Sequence, residues 1–370
     1  MIKQSIPMST INAWNGPQKR LNLSSLAWQK LCTNHSNEVA QSRYMVRKSY
    51  AITSRYYDFL ERLQNIAADV PLKVEDDRLL FIVGHWRSGT TLLHEMLTSD
   101  LNLAGPSTYA CLNPQHFLLT EKPLTRMNAA QHATRPMDAM KVTWSSPQED
   151  EFALLCLGAR SPYEALLLPD TLEQSLRIAS SEAMTSEERD EWLRHFTRFT
   201  AQVQSQNPGR LLVLKSPPHS LKIPLIRKNF PKARFLHIVR NPFDVAASSQ
   251  LMWRQLMSIY SLTMPPANIS LQTISESLSS FVRQCDDSLA NQPSSCTIRY
   301  EDLITDPLAC LRKVYDTLNL GDFYRAAPGF SDFVDSRRGY SPNNHSISDM
   351  DRNMIAATCE PIFTKYSYSI

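Results

Sequence analysis

The sequence predicts an α/β protein, a parallel β-sheet flanked by helices in one domain that carries helical inserts. Three observations predict it. First, the apolar runs LLFIVG from Leu79, LLVLK at 211–215, FLHIV at 235–239 and TIRY at 297–300 have the length and continuity of strands covered on both faces. Second, each is followed by a polar loop and a helix-like segment, such as LLHEML at 92–97, IPLIRKNF at 223–230 and CLRKVYDTLNL at 310–320. Strands alternating with helices make a parallel sheet. Third, 370 residues at 42% hydrophobic content can bury a sizeable core, and no repeat, low-complexity tract or interdomain linker divides them.

Before the first strand, residues 1–77 read as a helical N-terminal extension, periodic from Leu21 to about Val70 with Tyr56, Tyr57, Leu60 and Leu63 as apolar positions. It packs against a partner copy, making a homodimer, or caps the sheet. Residues 78–370 form the α/β domain, with inserts near 105–210 and 265–290. The first insert is expected to be loops rich in Pro and Ser around one clear helix from Thr185, where Thr185 and Glu188 have capping-box spacing. Trp192, Leu193, Phe196, Phe199 and Val203 form the apolar stripe of that helix, and a stripe of this kind is core. Inserts added to a sheet usually shape a substrate pocket.

Charge and composition exclude several classes. With 39 Lys+Arg against 36 Asp+Glu the net charge is +3, and no basic stripe carries interleaved aromatics, so a nucleic-acid partner is not expected. The 7 cysteines are scattered without a C-x-x-C pair, which argues against a disulfide framework and against a zinc cluster. No apolar core follows a basic N-terminal end, and no uninterrupted apolar run reaches the roughly 18 residues of a membrane span. The expectation is a soluble cytoplasmic protein without a transmembrane segment or a metal site.

Only 9 glycines stand against 23 prolines, which makes each glycine informative. Gly84-His85-Trp86-Arg87-Ser88-Gly89-Thr90-Thr91 joins a strand to a helix, where successive N–H groups and the helix dipole bind an anion. The loop of nucleoside triphosphatases, G-x-x-x-x-G-K-[ST], needs lysine where Thr90 stands, and the cation has moved to Arg87. Without that lysine and an acidic strand end for magnesium, phosphate binding is kept and cleavage of a triphosphate is dropped. A glycine-containing turn without a ligand is the bland alternative. A second half follows the strand RFLHIV: Arg240 at its end and Ser248 two turns into the next helix can converge on one phosphate. Open α/β sheets bind ligands at such strand ends.

At this point the sequence resembles a known family. GHWRSGTTLL and FLHIVRNPFDVAASS look like the two nucleotide-binding signatures of the sulfotransferases, and LVLKSPPHSLKIPLIRKNFP and IRYEDLITDPLACLRKVYDTLNL add two further matches in the expected order over roughly 78–320. The resemblance implies the P-loop-like nucleoside triphosphate hydrolase architecture and the cosubstrate 3′-phosphoadenosine-5′-phosphosulfate. The chain is more similar to the bacterial carbohydrate and small-molecule branch than to the cytosolic steroid and phenol enzymes, whose first loop carries lysine at the position of Arg87. By resemblance, Arg87 neutralises the bridging oxygen, Thr90 and Thr91 with the backbone of Ser88 and Gly89 hold the 5′ end, and Arg240 and Ser248 grip the 3′-phosphate. Tyr300 resembles the family tyrosine near the nucleotide, or is a core tyrosine at a strand end. Arg337-Arg338-Gly339 loosely echoes the family's C-terminal Arg-Lys-Gly motif, which would bring Arg338 to the 3′-phosphate. Lys215 contacts the sulfuryl group or the acceptor, unless it is a surface lysine after an edge strand.

Transfer to a hydroxyl needs a base. His219, four residues after Lys215, is preferred because imidazole titrates near neutrality, although the cytosolic members place their histidine two residues after the lysine. Glu95 is the second candidate, at the position where a glycosaminoglycan-modifying branch carries its glutamate. Glu149-Asp150-Glu151 reads as dipole-favoured charge before a helix, or else one of the three faces the acceptor. His85 and His94 line the phosphate loop or merely donate hydrogen bonds, whereas His116 and His237 are assigned to packing or solvent. Trp144, Phe152 and Tyr163 are core or an apolar acceptor pocket. The acceptor, a hydroxyl-bearing carbohydrate, lipid or small molecule, stays open. So do two rival functions, a nucleotide phosphotransferase such as a kinase and a catalytically inactive nucleotide-binding protein.

Overall fold

A computed structural model describes residues 20–36, 39, 44–69, 73–127, 133–134, 141–264, 266, 268–337 and 347–370. Its strands are β1 (Leu79–Val83), β2 (Leu103–Ala104), β3 (Ala133–Thr134), β4 (Lys141–Val142), β5 (Leu211–Lys215), β6 (Arg234–Val239) and β7 (Ser295–Arg299). Five of them form one sheet in the order β2-β5-β1-β6-β7, and every pairing in it is parallel. Phe81 stands in register with Leu214 on one side and Phe235 on the other. The strands β3 and β4 make a separate antiparallel ribbon.

The chain moves outward from β1 to the edge strand β2, returns to β5 beside β1, and then crosses to β6 on the far side. Loops leaving β1 and its two neighbours therefore diverge, and a crevice opens at their carboxyl ends. All five residues of β1 are buried, which is why its sequence shows an unbroken apolar run instead of alternation. Alternate side chains feed two cores. Leu79, Phe81 and Val83 point into one, shared with Trp192, Phe196 and Phe199 of the Ser186–Gln206 helix. Leu80 and Ile82 point into the other, with Leu93, Leu97, Leu311 and Phe330 from the helices on that face. Phe81 and Phe196 stack with centroids 5.9 Å apart, and truncating so enclosed an aromatic costs about 3–5 kcal/mol.

The four apolar runs become β1, β5, β6 and β7, the last ending at Arg299 because Tyr300 already begins the Tyr300–Thr305 helix. A fifth parallel strand, β2, has only two residues and so offers no periodicity to read. The Thr185 capping box is formed on both sides, and the second insert folds as the Leu271–Leu289 helix. The first insert is more helical than expected, with helices at Thr108–Leu112, Phe117–Met127, Glu151–Leu157, Glu164–Leu167 and Leu172–Arg177. Every residue of Glu151–Leu157 is buried, and a helix without a solvent face shows no amphipathic period.

Within that insert the chain leaves and returns at one place. The amide of Gln148 donates to Pro106 O at 2.9 Å, that of Thr108 to Ser146 O at 2.8 Å, and that of Tyr109 to Trp144 O at 3.0 Å. In the N-terminal region, Ala27 and Leu31 of the Ser25–Asn34 helix and Tyr50 of the Tyr44–Ala67 helix join the same core as Phe81. Among the described residues, no helix is long and apolar enough to cross a membrane.

Candidate active site

The loop after β1 reaches the crevice through three unusual backbone positions. Gly84 and Gly89 have φ of 148° and 102°, and a Cβ on either would collide, at 2.6 Å from Ile238 O and 2.4 Å from Tyr300 Cδ2 respectively. Between them Arg87 is left-handed at φ 68°, a conformation that costs a non-glycine residue of order 1–3 kcal/mol and persists only where the surroundings enforce it. The strain aims its guanidinium, whose Nε donates to Ser248 Oγ at 2.9 Å. Ser220 Oγ braces the start of the loop, accepting from the Gly84 amide at 2.8 Å. Ser88 and Thr90 are buried, with Ser88 Oγ donating to His85 O at 2.8 Å.

Arg240, at the end of β6, donates from Nη1 to Arg87 O at 3.3 Å, and its guanidinium carbon lies 4.4 Å from the centroid of the Tyr300 ring. That ring is the one that covers Gly89. Arg87, Gly89, Arg240, Ser248 and Tyr300 are thus one cluster drawn from β1, β6 and β7, two arginines and a hydroxyl above a glycine bend. Asp244 faces Arg240 at 3.4 Å but is largely exposed, so it neutralises little of that charge. Such an arrangement, two guanidinium groups and a hydroxyl beside a loop that precedes a helix N-terminus, has the charge and the backbone donors to hold phosphate groups.

On the other side of the loop stands a second, smaller group. Lys215, the last residue of β5, is not a surface lysine: its side chain is 2% exposed. Its Nζ donates to Glu149 Oε1 at 2.6 Å and to Thr91 Oγ1 at 3.3 Å. Tyr163 donates its hydroxyl to the other oxygen of Glu149, and Trp86 Nε1 donates to that hydroxyl at 2.9 Å. Burial and the adjoining Glu149 carboxylate hold the Tyr163 phenol far above its ordinary pKa, so it remains a donor.

The three consecutive acids separate into three roles. Glu149 meets Lys215. Asp150 is fully buried, accepting from Ser216 Oγ at 2.8 Å and facing His219 Nε2 at 3.0 Å in a close, off-axis contact. Burial alone would push its carboxyl up, but the His219 imidazole and the Ser216 hydroxyl outweigh it and hold the group below its ordinary value. Glu151 is also fully buried, and burial raises its pKa while the charge of Lys222 opposes the rise. Burial in turn lowers Lys222, against the pull of Glu151 and Asp150. Because Ser216 follows Lys215 and Asp150 follows Glu149, the bond between Ser216 and Asp150 fixes two chain segments so that the Lys215 and Glu149 side chains meet.

His219, the preferred base, lies buried beside Asp150. Its imidazole is 0% exposed, edge-on to Phe81, Trp192 and Phe196 at 5.3, 6.0 and 5.8 Å, and it serves Asp150 in the core. The reason is local: Pro217–Leu221 forms a 3-10 helix that turns the residue back beneath the sheet end. Glu95 is on the Thr90–Leu97 helix and is ion-paired with Arg337. Arg338 and Gly339 lie outside the described residues. His94 is buried against Val213 O, and burial holds its pKa at about 3; His85 Nδ1 donates to Trp86 O and is held at about 4 for the same reason. His116 and His237 pack in the interior as expected. Phe152 stacks on Tyr163 at 4.6 Å, whereas Trp144 packs away against Tyr109. Glu149 is the acid of the triplet that meets Lys215, and sequence reasoning did not single it out because the triplet gives no sign of which acid turns toward β5.

The parallel sheet with its glycine-bent loop after β1 places the chain in the P-loop-like α/β class. A profile of the sulfotransferase family matches residues 80–323. The omega-hydroxy-beta-dihydromenaquinone-9 sulfotransferases of Mycobacterium bovis and Mycobacterium tuberculosis are each 33% identical over 348 residues, 92% of this chain and 89% of theirs. Among solved structures, the sulfotransferase STF9 of Mycobacterium avium superposes with a TM-score of 0.66 at 15% identity, over 99% of this chain and 97% of that one. The sulfotransferase STF1 of Mycobacterium tuberculosis gives 0.57 at 16% identity, covering 90% of each chain. Both share the fold. The chain belongs to the sulfotransferase family.

Proposed function

We propose that the protein transfers a sulfuryl group from 3′-phosphoadenosine-5′-phosphosulfate to a hydroxyl of a lipid acceptor, with Glu149 as the proton acceptor. The observation that carries this reading is the meeting of Lys215, Glu149 and Thr91 beside the phosphate loop. The donor fits the residues present: the loop bent at Gly84 and Gly89, where a Cβ would clash with Ile238 O and the Tyr300 ring, and the cations Arg87 and Arg240 suit a nucleotide with phosphates at both the 5′ and 3′ positions. The bound donor supplies the activated sulfuryl group.

In this reading the loop backbone and Thr90 orient the 5′ end, and Arg240, Ser248 and Arg87 hold the 3′-phosphate side and balance charge as the bridging oxygen leaves. Lys215 stabilises the equatorial sulfuryl oxygens, where charge develops in an in-line transfer. Glu149 takes the acceptor's proton as the new S–O bond forms and the bond to the bridging oxygen breaks, leaving a sulfate ester and the nucleoside bisphosphate. Tyr163 donates to Glu149 and keeps its free lone pairs directed. The lipid class of the acceptor is supported by the relatives whose names specify a hydroxylated menaquinone, at 33% identity across nearly the full length of both chains.

Calorimetric titration with 3′-phosphoadenosine 5′-phosphate, against ATP and without magnesium, tests the donor. Binding of the bisphosphate and not of ATP is expected, with Arg240→Ala weakening it by about 10- to 100-fold, the loss of one charge-assisted contact of roughly 1.5–3 kcal/mol. ATP binding alone would revive a kinase, and bisphosphate binding without any turnover would revive the inactive binding protein.

A further inference from the structure

The Tyr44–Ala67 helix is buried on one face through Tyr50, Ser54 and Gln64 and bare on the other. The bare face is apolar: Met45, Ile52, Tyr56, Phe59, Leu63 and Ile66 are 71%, 58%, 56%, 55%, 40% and 83% exposed. From Ile52 to Ile66 these positions step by four and three residues, which aligns them in a single stripe along the helix. The helix has 24 residues, so it is about 36 Å long. Scattered exposed apolar side chains are ordinary, but a contiguous stripe of this length marks an interaction surface.

The charges around the stripe select its partner. Lys48, Arg55 and Arg62 are exposed on the same side. The acids of the helix turn the other way: Asp58 Oδ1 accepts from the Ser25 amide at 3.0 Å, and Glu61 Oε1 from Arg198 Nη1 at 2.5 Å. The outward face therefore combines large apolar side chains with cations alone. A second copy of the chain laid on it would bring cations against cations with no acid on that face to meet them. An anionic bilayer surface offers what the face lacks, negative charge at the rim and an apolar layer beneath.

We infer that this helix lies flat in the interface of an anionic lipid membrane, apolar stripe inward, and holds the enzyme on the bilayer surface. The inference stands on the helix alone and does not depend on the choice of acceptor or base. It differs from a membrane span, which no described helix is long and apolar enough to form.

The test is co-sedimentation of the full chain with vesicles of phosphatidylcholine alone or mixed with phosphatidylglycerol. The chain is expected to pellet with the mixed vesicles and to be released by salt. Lys48→Gln, Arg55→Gln and Arg62→Gln combined should lower partitioning on the order of 100-fold, since each cation near an anionic surface contributes roughly fivefold. Ile52→Ser with Phe59→Ser should abolish it, and both variants should bind 3′-phosphoadenosine 5′-phosphate like the parent, so that a failure of the donor reading is seen separately. Three results would overturn the inference. One is a parent that stays in the supernatant with mixed vesicles, and another is variants that pellet as the parent does. The third is a dimer by light scattering that Phe59→Ser dissociates, or a fall in melting temperature with that change, in the absence of vesicle binding; the face would then be covered by a copy or by the chain itself.

Discussion

Replacing Glu149 by Gln removes the proposed proton acceptor while keeping the shape of the side chain. The carboxylate accepts from both Lys215 and Tyr163, and its Lys215 partner is 2% exposed. Glutamine has one carbonyl oxygen for these two donors, so its amide group must face one of them and a buried contact is lost, at about 1–3 kcal/mol of stability. The effect on turnover is larger, because a positioned general base contributes about 10²- to 10⁴-fold. Steady-state assays with a hydroxylated isoprenoid acceptor should show kcat lowered by that factor and nucleotide affinity retained. The control is His219→Asn, which leaves Asp150 buried without its partner and so costs about 3–5 kcal/mol of stability while sparing kcat per folded molecule. If Glu149→Gln stays within about tenfold of the parent kcat while His219→Asn or Glu95→Gln abolishes turnover in folded protein, the assignment is refuted.

Gly89→Ala places a methyl group 2.4 Å from the Tyr300 ring at a φ of +102°, and it should lower the melting temperature and abolish bisphosphate binding in calorimetry, because the ring that stacks on Arg240 must move. Acid stability follows from the buried histidines. Burial holds His85 and His237 at about 4, below the ordinary 6.5, so the unfolded chain binds more protons and the stabilisation, complete above about pH 6.5, is lost as pH falls toward 4. Denaturant titrations at pH 7 and pH 5 should differ by about 2 kcal/mol for each of the two, and His237→Leu should remove its share without touching transfer.

The sheet was legible because its strands are covered on both faces: β1, β5 and β6 are continuous apolar runs bounded by polar loops. The bend of the loop after β1 was legible for a related reason, since Gly84 and Gly89 sit where only glycine fits. What could not be read depends on contacts between distant segments. Glu149 and Lys215 are 66 positions apart, and nothing in either local sequence shows that Ser216 ties one strand end to Asp150. The burial of His219 was not legible from its spacing to Lys215 either, because it lies in a 3-10 turn that packs it against Phe81 and Phe196. The short helices of the first insert lack amphipathic periods because the protein encloses them.

The stapled neck between Pro106–Tyr109 and Trp144–Gln148 has an evolutionary consequence. At its exposed positions the excursion between the two ends of that neck can lengthen, shorten or change composition while Glu149, immediately beyond it, keeps its place against Lys215, whereas Cys111, Leu112 and Phe117 are fixed in the core. Closing a longer loop adds only about 0.6 kcal/mol per doubling, so such variation is cheap. Related chains can therefore be expected to diverge most in this one excursion, trading acceptors without rebuilding the machinery of transfer.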